Sequence, residues 1–467
     1  MSLSKPASPS EAVAGQIRAV LRGHAPNCSS AGSVVGMALV STAATAVIVN
    51  AWALRFLRWT QGQAPPDGPG GPPRLRVEAD GSGLLALPGE APGEAGGVLH
   101  LEPALVATAR AAGAREVGLA APVAVPGALR APTEVHLAVT DRCPVRCTGC
   151  YLEAGPERPP TEPGAPDLRA ALDTLAAMGV LEVAFGGGEV LLRADLLDLL
   201  AHARDLGLVP NLTTSGFGLS QERARALAGL VGQVNVSLDG LGESYRATRG
   251  WNGADRGLAA IGLLAGEGVR VGVNTVLARP LLAAPGALED LGAAIVQAGA
   301  REWQWLRFKP AGRGADAYAA LSLDATAAHA LWPLALALEA ATGLVLRFDC
   351  ALVPFLVAHR PPPALLQRMG VRGCPGGHSL WARAADGAWA PCSFVPGQPQ
   401  VELGRGWAQD PALRAWRERA AAPPGACADC DYQALCRGGC RAVSAHLVGD
   451  PMAPDPECPR VQARAAS

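Results

Sequence analysis

From residue 134 onward, short runs of alternating apolar and polar positions are each followed by a longer stretch with helical spacing. The strand-like runs are 134–140 (EVHLAVT), 181–185 (LEVAF), 208–213 (LVPNLT), 233–238 (QVNVSL), 270–276 (RVGVNTV) and 302–307 (EWQWLR). Amphipathic stretches lie between them at 167–178, 192–206, 220–231, 254–267 and 286–299, and another follows at 324–342. Six β-then-α units predict an α/β fold of parallel strands with right-handed helical crossovers. A partial (β/α)6 TIM-like barrel or a doubly wound sheet satisfies this pattern, and either puts chemistry at the C-terminal ends of the strands.

The flanks follow different rules. Residues 74–110 read as a small α+β region, with a hairpin signal at Asp80-Gly81 and helical spacing in VLHLEPALVATARAAG. A Pro/Gly-rich linker, GQAPPDGPGGPP, occupies 62–73. Residues 33–54 carry no charge over 22 positions, long enough to span a bilayer. Ser33, Ser41, Thr42, Thr45 and Asn50 dilute that run. A membrane anchor, a packed helix and a fused peptide-like segment therefore all stay open for it. Past 345 the helical rhythm fades and Gly and Pro increase. The implied organisation is an extension at 1–60, the linker at 61–73, the α+β region at 74–130, a core barrel at 131–345 and a cysteine-rich C-terminal domain at 346–467.

Charge adds an exclusion: 40 Lys and Arg against 41 Asp and Glu leave a net charge of −1, with no global basic field for nucleic acid. The twelve cysteines stand at 28, 143, 147, 150, 350, 374, 392, 427, 430, 436, 440 and 458, with none between 150 and 350. Clusters at both ends of a bare α/β body point to metal sites in a reducing, cytoplasmic compartment rather than to disulfides. The first stretch of the chain has no immediate apolar segment of the kind a secretory signal needs.

The loop after the first barrel strand reads DRCPVRCTGCY. Structural zinc needs four protein ligands, and no fourth Cys or His is near, whereas a [4Fe–4S] cluster held by Cys143, Cys147 and Cys150 keeps one iron open. Cys143-Pro-Val-Arg-Cys147-Thr-Gly-Cys150-Tyr151 resembles the signature loop of radical S-adenosylmethionine (SAM) enzymes. Other strand ends carry similar matches. Gly186-Gly187-Gly188-Glu189 resembles the Gly-Gly-Glu that holds the methionine amino group of SAM. Ser237-Leu238-Asp239-Gly240, Arg249-Gly250 and Asn274 sit where hydroxyl, guanidinium and ribose contacts are found in that family. The implied cofactor-binding set is Tyr151, Gly187, Gly188, Glu189, Ser237, Asp239, Arg249 and Asn274. Thr214-Ser215-Gly216 departs from the family's Thr-Asn-Gly and receives no role. Pro310-Ala311-Gly312-Arg313 resembles a turn common in this branch.

The tail spacing, Cys374, Cys392, Cys427-x2-Cys430-x5-Cys436-x3-Cys440 and Cys458, resembles the SPASM domain of auxiliary iron–sulfur clusters. By position, that resemblance implies one auxiliary cluster on Cys374, Cys392 and Cys440; either Cys350 supplies its fourth thiolate or that iron stays open for substrate. A second falls on Cys427, Cys430, Cys436 and Cys458. Cys28 reads as an unassigned thiol. The resemblance implies an oxidoreductase that cleaves SAM to a 5′-deoxyadenosyl radical and abstracts hydrogen from a peptide or protein, giving a cross-link or modified residue in ribosomal natural-product (RiPP) maturation. It implies a leader-bearing peptide partner and a flavodoxin or ferredoxin as reductant; membrane association stays open separately, through the uncharged run 33–54. Formylglycine formation of the sulfatase-maturase type and a non-catalytic iron–sulfur electron-transfer or scaffold role are the alternatives.

Overall fold

The computed structural model describes residues 38–42, 45–49, 73–77, 83–87, 97–101, 103–116, 129, 131–157, 162–362, 365–366, 369–396 and 403–465. Cys28, the Pro/Gly run at 62–72 and the Asp80-Gly81 turn lie outside those residues. The chain divides into two compact units, 1–91 with 96–117, and 92–95 with 118–467.

In the first unit, β1 (Ala38–Thr42) and β2 (Thr45–Val49) pair antiparallel, from Ala38 opposite Val49 to Thr42 opposite Thr45. This corrects both helical readings of 33–54. β-branched Thr42, Thr45, Val47, Ile48 and Val49 favour extended backbone over helix. Among the described residues, no single helix is long and apolar enough to cross a membrane. A separate sheet takes the order β5-β4-β3-β6, from β3 (Arg74–Val77), β4 (Gly83–Leu87), β5 (Gly97–Leu101) and β6 (Arg115–Glu116). Leu75 and Leu85 of that sheet are buried, as are Val106 and Ala109 of helix Pro103–Ala111.

The second unit is built on nine strands in the order β13-β12-β11-β10-β9-β8-β7-β14-β15. Seven consecutive parallel strands form its body: β7 (Glu134–Thr140), β8 (Glu182–Gly187), β9 (Val209–Thr214), β10 (Gln233–Ser237), β11 (Val271–Leu277), β12 (Glu302–Arg307) and β13 (Val345–Phe348). Six of these match the runs read from sequence. The seventh, β13, is only four residues long and was hidden where the helical rhythm stops. β14 (Leu380–Arg383) joins the other edge parallel to β7, and β15 (Trp389–Ala390) turns back antiparallel on it. The cysteine-rich tail thus shares the barrel's own sheet.

Strand alternation decides what each face does. On β7, Val135, Leu137 and Val139 are fully buried, as are Leu168, Leu172 and Leu175 of helix Ala165–Ala177 in the same core. The intervening Glu134, His136 and Ala138 instead face an interior cavity. The period of two therefore produces an apolar outer layer and a polar lumen. Across the outer layer, Trp303 Nε1–H donates to Thr275 Oγ1 (2.8 Å), whose hydroxyl donates to Leu238 O (2.6 Å), tying β12, β11 and the end of β10 together. Helices Gly242–Arg249, Arg279–Ala283 and Arg313–Leu321, not read from sequence, follow the C-terminal ends of β10, β11 and β12.

Truncating Leu172 to Ala opens a cavity between helix and sheet, and should cost about 2–5 kcal/mol. Chemical denaturation of the two proteins under identical conditions checks this; equal midpoints would contradict the packing described.

Candidate active site

The three cysteines of the first loop follow β7, where a register shift between Ala138 and Thr140 breaks pairing with β8. Such a bulge re-aims the chain at a sheet rim. The loop has no helix or strand of its own, so its backbone groups are satisfied from elsewhere. Gly188 N–H donates to Thr140 O (2.6 Å) and Glu189 N–H to Arg142 O (2.8 Å). Thr148 N–H donates to Arg249 O (3.2 Å), while Arg313 donates from Nε to Cys147 O (3.0 Å) and from Nη2 to Ala154 O (2.9 Å). A Cβ at Gly187, whose φ is 119°, would strike Thr140 O, and one at Gly188 would strike Arg142 O. These glycines are required for close approach of two loops.

Cys143, Cys147 and Cys150 open onto one cavity of about 540 Å³. All eight residues singled out as cofactor contacts line it: Tyr151, Gly187, Gly188, Glu189, Ser237, Asp239, Arg249 and Asn274. Their detailed partners refine their roles. The Glu189 carboxylate accepts from Leu191 N–H (3.2 Å) and Thr214 Oγ1–H (2.6 Å) on one oxygen, and from Ser215 N–H (2.9 Å) and Ser215 Oγ–H (2.6 Å) on the other. A carboxylate has about four acceptor sites, so Glu189 is saturated and fixes one wall. Thr214 and Ser215 gain a role that sequence reasoning withheld. Asp239 accepts from Val276 N–H (2.7 Å) and pairs with Arg249. Burial opposes the charge of Arg249, but Asp239 and Cys147 hold its pKa above the ordinary value.

Trp251 was missed altogether. Its Nε1–H donates to Cys147 Sγ (3.3 Å), and Arg249 Nη1 stands 3.7 Å from the same sulfur. Only its place two residues after Arg249 could have signalled this. Asn274 Oδ1 is buried with no hydrogen-bond partner, an acceptor facing a cavity that still lacks its donor.

The remaining cysteines fall into two neighbourhoods. Cys374 and Cys392 flank the β14–β15 hairpin. Burial raises the Cys350 thiol well above its ordinary value, with Asp349, Cys374 and Cys440 adding to the effect. Cys392 is pushed up to about 12 by burial, then by Cys374 and Cys440. Cys350, Cys374, Cys392 and Cys440 therefore form one electrostatic group, and Cys392 also lines the main cavity. In the second group, burial raises Cys436, with contributions from Cys458, Asp455 and Cys427. Cys430 lies beside Cys427. The groups interlock because Gly373 N–H donates to Leu435 O (2.8 Å), stitching the Cys374 segment to the Cys436 turn. Lys309, ion-paired with Asp349 and 4.2 Å from the Phe394 ring centroid, lines the cavity within electrostatic reach of Cys350 and Cys440.

Among the described residues no three of these side chains close on a single ion. A cubane spreads its ligands over separate irons, and sulfur-only donors in sets of three, four and four suit iron–sulfur ligation. The open acceptor of Asn274 in the same cavity suits a ligand bearing hydroxyl groups.

The family model described as the radical SAM superfamily matches residues 137–280. A PqqA peptide cyclase of Methylocella silvestris is 30% identical over 355 residues, covering 70% of this chain and 87% of the relative. An AdoMet-dependent heme synthase of Nitratidesulfovibrio vulgaris is 27% identical over 339 residues, covering 68% and 90%. Streptococcus suis SuiB bound to its precursor peptide SuiA superposes with a TM-score of 0.57 at 19% identity, covering 71% of this chain and 77% of that one.

Burial, reinforced by Glu189 and the neighbouring thiols, pushes Cys143 up to about 11 from an ordinary 9.0. A raised folded pKa means that the thiol's contribution to stability is present below pH 9 and lost as pH rises through 11. Alkylation of Cys143 in metal-free folded protein, followed by peptide mass, should half-saturate near pH 11. Half-saturation at the ordinary thiol value would contradict the burial described.

Proposed function

The chain belongs to the radical SAM superfamily, and on that premise we propose that it is a peptide-modifying enzyme acting oxidatively in the maturation of a ribosomally made peptide. The observation that carries this reading is one cavity shared by the three-cysteine loop, the Gly-Gly-Glu wall, Ser237, Asp239, Arg249, Asn274 and Cys392. Cys143, Cys147 and Cys150 would hold a [4Fe–4S] cluster beside SAM. When bound, these groups supply a 5′-deoxyadenosyl radical able to abstract hydrogen from a peptide.

The chain's own residues do the rest. Trp251 and Arg249 turn N–H groups toward Cys147 Sγ and orient that sulfur in the cavity wall. Glu189 locks Thr214 and Ser215 against the cavity, fixing the wall that the cofactor's polar end would meet. Asn274 offers the free acceptor for a hydroxyl. The Tyr151 and Phe394 rings, 4.7 Å apart and tilted by 39°, line the cavity together with Cys392 and would shield that side of a bound substrate from water.

The tail cysteines, grouped as Cys350/Cys374/Cys392/Cys440 and Cys427/Cys430/Cys436/Cys458, would carry two auxiliary clusters. Cys392 on the cavity wall brings the first group within electron-transfer reach of a substrate. Such an acceptor is what an oxidative cross-link requires once hydrogen has left. Supporting the peptide substrate are the relative named for a peptide cyclase and the neighbour solved with its precursor peptide. The edge strands of the N-terminal sheet would pair with an extended leader by strand addition, and a flavodoxin or ferredoxin would supply the electron.

Anaerobically reconstituted protein given SAM and a chemical reductant should release 5′-deoxyadenosine, and Cys147→Ala should not. A peptide encoded beside this gene should lose two hydrogens by mass in the same assay. Deoxyadenosine from the Cys147→Ala protein, or none from the parent, would overturn the proposal. Glu189→Gln turns an acceptor into a donor against Ser215. It should weaken SAM binding roughly tenfold to hundredfold, read by equilibrium binding, with the iron content retained.

A further inference from the structure

Charges around the tail cysteines do not balance. Two cations near them are satisfied: Lys309 pairs with Asp349, and Arg307 pairs with Asp455 and Glu457. A third, Arg437, donates to Cys374 O (3.0 Å) and is only partly buried. Arg441 and Arg419 differ. They are 3% and 6% exposed, and neither meets a carboxylate among the described residues. Nε and Nη1 of Arg441 are buried without a hydrogen-bond partner, while Arg419 donates from Nε to the Met452 carbonyl and turns its guanidinium toward the Cys427 sulfur. The two guanidiniums are close enough for Arg419 to act on Arg441 as a like charge. Two adjacent buried cations without counter-charge are strongly unfavourable unless an anion is held beside them.

Their placement identifies the anion. Arg441 directly follows Cys440 at the start of helix Arg441–Val448, within electrostatic reach of Cys374 and Cys440 on one side and Cys427 on the other. The Arg419 guanidinium lies against Gly438, where a Cβ would come within 2.7 Å of Nη2. Gly438 belongs to the turn joining Cys436 of one group to Cys440 of the other. Arg419 also lowers the Cys427 thiol against the effect of burial. Helix Pro411–Ala421 supplies both Arg419 and Trp416, whose ring centroid is 5.4 Å from the Arg441 guanidinium carbon.

We propose that Arg441 and Arg419 form a cationic bridge between the two cysteine groups, aiming N–H groups at the sulfur of anionic iron–sulfur clusters held on either side. They are positioning residues. A fixed positive charge favours the form carrying the extra electron, so the bridge raises the midpoint potential of both clusters and eases electron acceptance. This inference rests on the two-cluster reading above and assigns the residues that tune it.

The test is a redox titration, followed by electron paramagnetic resonance, of anaerobically reconstituted full-length protein with iron quantified. Arg441→Met should keep roughly twelve irons per chain and shift the auxiliary signals to lower potential. At a fixed poise midway, the reduced-to-oxidised ratio should fall about tenfold. Arg441→Lys, which keeps the charge, should restore most of it. If Arg441→Met does not take up iron, Arg419→Gln gives the same reading on the Cys427 side. Full iron with unmoved potentials overturns this inference alone, even if the melting temperature drops. Parent protein holding only about four irons overturns the two-cluster reading and this inference with it.

Discussion

The loop carrying Cys143, Cys147 and Cys150 has no secondary structure to hold it, so everything at this site depends on hydrogen bonds reaching it from later parts of the chain. Arg313, delivered by the turn after β12, clamps the carbonyls of Cys147 and Ala154. Arg249, after β10, offers its own carbonyl to Thr148, and the glycine wall after β8 donates to Thr140 and Arg142. Three strands far apart in sequence thereby fix a loop grown from a fourth. Parallel topology makes this possible, because it gathers every strand's C-terminal end on one rim.

The same economy governs charge. Glu189 is consumed by Thr214, Ser215 and Leu191, and Asp239 by Arg249 and Val276, so the cavity's acidic groups serve as supports for its walls. On the cavity lining, Lys309 and Arg307 are likewise neutralised by carboxylates from the tail. The buried guanidiniums of Arg419 and Arg441 are left with sulfur as their neighbours. A polar centre of this kind is stable only when its ions are matched, and the proposed clusters supply what the side chains alone do not.

Much of this was legible in the sequence. The period-two runs placed six of the seven parallel strands nearly to the residue, because an apolar outer face and a polar lumen impose strict alternation. The Cys143–Cys150 loop and the Gly-Gly-Glu wall were legible through spacing, since glycine is needed where backbones touch. Other features were not. Trp251 and Ser215 act through hydrogen bonds made across the fold, and nothing local marks them. β13 was too short to register. The uncharged run 33–54 misled because its length suggested a helix, while its Thr, Val and Ile content favoured the antiparallel β1–β2 pair over the described residues 38–42 and 45–49. The buried arginines Arg419 and Arg441 carry no mark in the sequence, because what surrounds them is set only by the folding of the tail.

The central claim is that the loop's three sulfurs hold a cluster whose remaining iron is open to SAM. Electron paramagnetic resonance of the reduced, anaerobically prepared protein addresses it directly, with the auxiliary cysteines replaced so that one signal remains. The account predicts that adding SAM changes the g-values of that signal. A signal of the expected intensity that SAM leaves unaltered would contradict it.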